Sequence, residues 1–159
     1  MLIINTILHE DGAQIVKKLN RKIYRTYRMT KNSEVNASFH LEGFSPLEDT
    51  IVEAIQDRKG QKIIDLDLRR LETAPAQAFI VCQGKSTSQV EAIADNIREE
   101  VRKKLDRKPY NYDGYRNAQW IILDYGEVMV HVFLPEVREF YNIEDLWSDS
   151  TVTEIPDLD

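Results

Sequence analysis

The sequence contains few of the residues from which proteins build covalent or metal-bound centres. Its 159 residues include one cysteine, Cys82, and three scattered histidines, His9, His40 and His131. One cysteine cannot form an intramolecular disulfide, and such a low content is typical of a reducing compartment. Neither Cys82 nor any histidine has a neighbour at the spacing of a zinc site. The sequence therefore predicts no disulfide, no bound metal and no cofactor.

Long apolar runs are also missing. No run approaches the roughly 20 residues that a membrane-spanning helix requires. The apolar stretches near the N-terminus, Leu2–Ile4 and Ile7–Leu8, are too short for a signal peptide. We therefore expect a cytoplasmic protein without a membrane segment.

Positive charge is scarce beyond the first 40 residues. Residues 1–40 hold seven Lys/Arg and three acids, whereas residues 41–159 hold 14 Lys/Arg and 24 acids, a net charge of −10. Bare phosphate repels such a domain, so direct binding to nucleic acid, DNA included, is disfavoured. The charge suits a basic protein partner, although a need for solubility explains it equally well.

The composition divides the chain into three predicted parts. They are a basic and polar N-terminal extension at 1–44, a folded domain at 45–148 and a frayed acidic tail at 149–159. Met29 is a plausible alternative start. Residues 1–28 are therefore expected to be either a misassigned upstream extension or a mobile basic tail.

The first half of the predicted domain contains a helix and two strands. Residues 45–48, Ser-Pro-Leu-Glu, combine a helix-capping serine, a proline at the first helical position and a capping-box glutamate. Gly60 is expected to end this helix in a left-handed conformation. The alternation in Lys62–Leu68 predicts a strand with one solvated face. The apolar run Ala78–Cys82 predicts a strand buried on both faces.

The second half begins with the longest predicted helix, which a capping box from Ser88 to Glu91 opens. A short strand is predicted at Pro109–Tyr112, a hairpin at Trp120–Phe133 and a short helix from Pro135. The order of elements predicts an α/β domain with a mixed sheet of about five strands flanked by helices.

The predicted hairpin carries an unusual set of side chains. Gly126 supplies the permissive backbone that its turn needs. Aromatic and charged residues together on a rigid sheet often mark a recognition surface, and here they are Trp120, Asp124, Tyr125 and His131. Burial in the core explains Trp120 equally well. A role in the turn is the main alternative for Asp124 and Glu127, and a packed histidine is favoured for His131.

Two patterns invite an enzymatic interpretation. Gly84-Lys85-Ser86 lies between a strand and a helix, but Phe79 stands where a Walker loop needs glycine, so a tight turn is favoured. Asp65 and Asp67 share one face of a strand, as the metal-binding carboxylates of nucleotidyltransferases do. Those enzymes place the glycine turn before the carboxylates, and here the order is reversed. A divergent metal-dependent nucleotidyltransferase is the alternative hypothesis, and a third, weaker hypothesis makes the basic N-terminal segment an RNA anchor.

Several spaced motifs, taken together, resemble the ribosomal silencing factor family, also called Iojap. The similarity covers residues 45–148. The segments that carry it, in order, are Lys62–Leu68, Phe79–Gln89, Ala92–Ile97, Tyr112–Tyr115 with Trp120–Phe133, and Pro135–Trp147.

This resemblance implies a function and a site. Members of the family bind the large (50S) ribosomal subunit through its protein L-fourteen, block joining of the small subunit and lower translation under nutrient limitation. They are not enzymes, their fold is similar to a nucleotidyltransferase core without the catalytic residues, and they are often homodimeric. The implied contact surface consists of Trp120, Asp124, Tyr125, Gly126 and Glu127, with an extension to Tyr115 and His131.

Overall fold

The computed structural model describes Leu41 and residues 43–158. The predicted alternative start at Met29, and all of the predicted extension except residues 41, 43 and 44, lie outside these described residues. The elements in chain order are α1 (Pro46–Asp57), β1 (Gln61–Asp67), β2 (Ala78–Gln83), α2 (Thr87–Leu105), β3 (Asn111–Asp113), β4 (Trp120–Asp124), β5 (Val128–Phe133), α3 (Pro135–Tyr141), α4 (Ile143–Leu146) and β6 (Thr151–Ile155).

The six strands form one mixed sheet with the order β3-β4-β5-β2-β1-β6. Only the central β2–β5 pair is parallel, and the other neighbours are antiparallel. Helices α1 and α2 pack against each other, and α2 contacts β4 and β5, so we call this side of the sheet the helix face. Residues from α3 and α4 cover part of the other side, the open face. The predicted α/β class with a mixed sheet is confirmed.

The sixth strand lies where a frayed acidic tail was expected. Thr151–Ile155 pairs antiparallel with β1, and the expectation of a frayed end is wrong for these residues. Ile155 is buried opposite Ile63. The pairing satisfies backbone groups along β1 that would otherwise have no partner on that edge.

Helix α1 begins as predicted and ends differently. The Glu48 N–H donates to Ser45 Oγ at 3.3 Å, and the Ser45 N–H donates to Glu48 Oε2 at 2.6 Å, which completes the capping box. Lys59, not Gly60, takes the left-handed conformation, with φ of +58°. Gly60 is needed for space, because a Cβ there would lie 2.3 Å from Ile55 Cγ2.

Helix α2 is capped two residues earlier than expected. Ser86 is the N-cap, and its hydroxyl oxygen accepts from the Gln89 N–H at 3.2 Å, so the predicted Ser88–Glu91 box is wrong. The Gln89 amide donates to the carbonyl oxygens of Arg58 and Lys59, both at 3.1 Å. This side chain therefore ties the start of α2 to the end of α1.

Strand β1 does not have the solvated face that its alternation predicted. Ile63 and Asp65 are both buried on the helix face. Burial raises the pKa of Asp65 to about 7, and the nearby Glu48 and Asp67 add to the effect. Strand β2 is buried along its whole length, as predicted. Packing by the helices thus overrides the polar pattern of β1.

Candidate partner-binding surface

The hairpin of β4 and β5 displays a continuous patch on the open face. The directly paired residues are Trp120 with Phe133, Ile122 with His131 and Asp124 with Met129. Paired residues of antiparallel strands point to the same side of a sheet. We call the resulting group the hairpin patch; its members are Trp120, Ile122, Asp124, Met129, His131 and Phe133. Phe133 and His131 are buried, and the other four are half-buried.

Trp120 is held in place and remains partly accessible. Its indole stacks on Phe133 with ring centroids 4.8 Å apart and an interplanar angle of 23°. Its Nε1–H donates to His131 Nδ1 at 3.1 Å. The indole is therefore anchored at two points, and its half-buried surface can be presented in a fixed orientation.

His131 supports Trp120 as a neutral acceptor. Burial lowers the pKa of His131 to about 4, so the ring is uncharged near neutral pH. Because Nδ1 accepts the indole hydrogen bond, the ring proton is assigned to Nε2. Nε2 is buried and has no hydrogen-bond partner among the described residues. The predicted packed histidine is confirmed, and its side chain is not exposed for a contact.

The turn uses Asp124 as its structural acceptor. The Gly126 N–H donates to Asp124 Oδ1 at 2.8 Å, and Gly126 has a φ of +89°, a conformation that L-residues seldom adopt. The hairpin and the turn role of Asp124 are confirmed. The Asp124 side chain as a whole is half-buried and lies at the edge of the hairpin patch.

Glu127 fixes the turn to the segment that follows α2. Its carboxylate forms a bidentate ion pair with Arg107, which also donates from Nη2 to the Tyr125 carbonyl oxygen at 2.9 Å. The hydrogen bond from Arg107 to the carboxylate lowers the pKa of Glu127. Glu127 is thus engaged within the fold.

Two of the predicted contact residues lie away from the hairpin patch. The Tyr125 side chain is fully buried, and burial raises its pKa to about 12. Tyr115 packs beside Tyr112, with its ring centroid 5.6 Å from the guanidinium of Arg98 on α2. Tyr115 is therefore on the α2 side of the sheet. The structure brings together Trp120, Asp124 and His131 but not Tyr115, and Tyr125 supports the fold from within.

Two exposed aromatic residues extend the hairpin patch and were not predicted as contact residues. Tyr141 lies with its ring centroid 4.9 Å from that of Trp120, and Phe140 packs edge-on against Tyr141 at 5.1 Å. Phe140 is 82% exposed and Tyr141 is 54% exposed. The usable signal in the sequence was the pair of adjacent large aromatic residues at the end of a short predicted helix; no residue of α3 is buried, so both rings lie at its surface.

The two parts of the hypothetical nucleotidyltransferase site are not adjacent. Gln61 pairs with Gln83, and Asp67 pairs with Ala78 at the other end of the same ladder. Residues 84–86 therefore follow the end of β2 that is remote from Asp67, and six residues of strand correspond to about 20 Å. Residues 84–86 form the predicted tight turn.

Other chemistry is sparse in the described part of the chain. Within Leu41 and residues 43–158, no group of three or more His, Cys, Asp or Glu side chains is arranged to hold a metal ion. Cys82 is completely buried, and burial raises its pKa to about 12, which makes the thiolate scarce. Among the same residues, no helix has the length and hydropathy needed to cross a bilayer.

Comparisons with known proteins bear on the same region. A family model described as "Ribosomal silencing factor during starvation" matches residues 44–159, a range that includes β6. A ribosomal silencing factor from Chromobacterium violaceum is 40% identical over 96 residues, which cover 60% of this chain and 77% of that protein. One from Halalkalibacterium halodurans is 34% identical over 104 residues, covering 65% of this chain and 87% of the relative.

Plant and structural relatives agree with this match. The chloroplastic Iojap protein of Zea mays is 34% identical over 107 residues, which cover 67% of this chain and 46% of that protein. A crystal structure of a Chromobacterium violaceum protein has a TM-score of 0.61 and 37% identity, covering 64% of this chain and 83% of that one. The sequence match, the relatives and the shared fold show that the chain belongs to the ribosomal silencing factor family.

Proposed function

We propose that this protein binds the large ribosomal subunit through ribosomal protein L-fourteen, blocks its association with the small subunit and lowers translation under nutrient limitation. The observation that carries the proposal is the hairpin patch with its two exposed neighbours, Phe140 and Tyr141, in a member of a ribosomal silencing family. We place this activity in the cytoplasm, and we propose that the free protein forms a homodimer.

The proposed mechanism is occlusion and requires no chemical step. A stable protein–protein interface buries about 1,600 Å² in total, or roughly 800 Å² on each partner, so the contact would include the hairpin patch, α3 and the surface around them. A folded domain attached to the surface that meets the small subunit would then prevent docking. The two subunits would remain separate as long as the domain stayed bound.

Aromatic residues are the expected energetic centre of this interface. Interface energy concentrates in a few large, well-oriented side chains, among which tryptophan and tyrosine are enriched. Trp120 is preorganised by Phe133 and His131, so little side-chain entropy is lost on binding. The net charge of −10 over residues 41–159 favours encounter with a basic partner.

The test is binding to purified large subunits. We expect Phe140→Ala and Trp120→Ala each to weaken binding by at least about 1 kcal/mol, which is roughly fivefold in affinity. Val152→Ala is the matched control, because Val152 is 52% exposed on β6, at the opposite edge of the sheet from β3 and β4. Equal binding by all three variants would remove the hairpin patch from the proposal.

Asp124 needs a separate design because it also stabilises the turn. Asp124→Asn keeps an oxygen that can accept from the Gly126 N–H and removes only the charge. Asp124→Lys removes both. If the carboxylate faces a basic partner, both variants lose affinity while their unfolding midpoints differ. Retention of full affinity by Asp124→Asn would assign Asp124 to the turn alone.

A further inference from the structure

One edge of this acidic domain carries a concentration of positive charge. Residues 98–116 contain seven of the 14 Lys/Arg residues found in 41–159 and only four acids, for a net charge of +3. The rest of 41–159 has seven bases and 20 acids. The seven bases of this segment are Arg98, Arg102, Lys103, Lys104, Arg107, Lys108 and Arg116. The charge that disfavours nucleic acid on average is therefore reversed here.

Three of these cations are exposed and unpaired among the described residues, and are therefore available to bind a partner. Lys103 and Lys104 form ion pairs with Glu99 and Glu53, each at 2.7 Å. Arg102, Lys108 and Arg116 are exposed and form no ion pair with any described residue. No existing ion pair has to be broken when these three side chains bind an anionic ligand.

Exposed tyrosines lie among these cations. The Tyr112 ring is 53% exposed, and the Arg98 guanidinium carbon lies 4.2 Å from its centroid. Arg102 is one helical turn after Arg98 on α2. Tyr110 is 74% exposed and follows Lys108 by two residues. Cations and two exposed aromatic rings, one of them covered on one side by Arg98, are thus combined on one edge of the sheet, next to β3.

One end of this edge adjoins the turn of the hairpin proposed to contact the ribosomal partner. The Tyr110 N–H donates to the Asp124 carbonyl oxygen at 2.8 Å. The Tyr110 ring would lie 3.1 Å from a Cβ placed on Gly126, so it covers the hairpin turn. A large partner that engages the hairpin turn would therefore bring its neighbouring surface to Tyr110 and the adjacent Lys108.

We propose that this basic edge, formed by Arg102, Lys108, Arg116, Tyr110 and Tyr112, binds RNA through phosphate contacts and base stacking. Single-stranded RNA is bound by the combination of a positively charged track and aromatic rings on which bases stack. An acidic protein would pair with the cations, whereas RNA engages the cations through its phosphates and the exposed rings through its bases. The inference rests on the proposed function for its location, because a ribosomal subunit presents RNA beside its proteins.

The first measurement is a fluorescence-anisotropy titration of the full chain with a labelled 20-nucleotide polyuridine RNA. The triple variant Arg102→Glu/Lys108→Glu/Arg116→Glu is expected to lose about tenfold or more in affinity at 50 mM salt. The control Arg58→Glu/Arg70→Glu/Lys85→Glu makes the same charge change at exposed positions elsewhere and should stay within about twofold. Equal losses in both triple variants, or no loss in either, would overturn the inference.

Variants of Tyr110 distinguish base stacking from phosphate contacts. Tyr110→Ala should weaken RNA binding by about fivefold or more, and Tyr110→Phe should restore it, because stacking uses the ring and not the hydroxyl. Equal affinities for the alanine and phenylalanine variants would contradict a stacking role.

The second measurement uses large ribosomal subunits. The slope of log affinity against log salt should become less steep by about 2 to 3 in the edge triple variant and remain unchanged in the control. Ultraviolet cross-linking of the bound wild-type chain should give an RNase-sensitive adduct. An adduct with a ribosomal protein only would identify an acidic protein as the partner of this edge. If the wild type fails to bind large subunits, the proposed function fails, whereas the polyuridine titration still decides this inference.

Discussion

At the scale of single residues, two buried groups have pKa values that move in opposite directions. Burial, with Glu48 and Asp67 nearby, raises the pKa of Asp65 to about 7, and burial lowers the pKa of His131 to about 4. Protonated Asp65 contributes stability that is complete below its unfolded pKa and is lost as the pH rises to 7. Neutral His131 contributes stability that is present above its unfolded pKa of 6.5 and is lost as the pH falls to 4. The two effects oppose each other between pH 4 and 6.5.

Replacing Asp65 should separate these two titrations. The quantity of interest is the free energy of unfolding of Asp65→Asn minus that of the wild type. We expect this difference to increase by about 2–4 kcal/mol from pH 4 to pH 8, because only the wild type must bury a charge at the higher pH. Urea unfolding at intervals across this range measures the difference. The variant alone should show stability that increases from pH 4 to 6.5, the signature of His131. A difference that did not change with pH would refute the raised pKa of Asp65.

Trp120 shows how far residue-level prediction reaches. The sequence places it on a hairpin and leaves open whether it is core or surface. The structure gives both: the indole is stacked on Phe133 and bonded to His131, and part of it stays accessible. Tyr125 could not be assigned from the sequence, because the turn decides to which side of the sheet the residue after Asp124 points. Its burial is a consequence of register.

At the scale of elements, local signals predicted what local interactions determine. The capping box of α1, the buried strand β2 and the hairpin all follow from short-range chemistry, and the structure contains them. Strand β6 was missed because its pairing with β1 joins residues about 90 positions apart. The burial of Ile63 and Asp65 on β1 was missed for another reason: tertiary packing on the helix face covers both residues, and the local alternation of the strand does not reveal it. Tertiary contacts, not propensity, decide these elements.

The role of β6 leads to a stability test. Ile155 is 5% exposed beside Ile63, whereas Val152 on the same strand is 52% exposed. Ile155→Ala should lower the free energy of unfolding by about 2–4 kcal/mol because it leaves a cavity. Val152→Ala should change it by less than about 0.5 kcal/mol. Chemical denaturation of both variants provides the comparison, and identical midpoints would mean that this segment contributes nothing to the folded domain.

The Arg107–Glu127 pair joins two elements and sets the shape of the hairpin turn. Arg107 reaches both the Glu127 carboxylate and the Tyr125 carbonyl oxygen. Arg107→Ala should weaken binding to the large subunit more than it lowers stability, since a partly exposed ion pair contributes only about 0–1 kcal/mol to folding. Arg107→Lys should recover part of the loss. Full affinity in Arg107→Ala would show that the turn needs no such support.

At the scale of the whole molecule, charge and surface chemistry divide the domain. The open face offers an aromatic patch around Trp120, Phe140 and Tyr141, and the β3 edge offers cations and tyrosines. The remaining surface is strongly acidic. This division is consistent with a protein that binds a surface made of both protein and RNA, while its acidic remainder repels other acidic surfaces. The sequence predicted a recognition role for the hairpin. The separation of the aromatic patch from the basic edge could not be predicted, because it depends on the strand order that brings β3 beside β4.

We propose that the protein binds the large ribosomal subunit and thereby prevents subunit joining. The most direct measurement is sedimentation of the full chain with purified large and small subunits separately, followed by light scattering of subunit association in its presence. We expect the chain to pellet with the large subunit only, and we expect subunit association to fall in proportion to the fraction of large subunits that carry it. Binding to neither subunit, to the small subunit, or to the large subunit without any effect on association would contradict it.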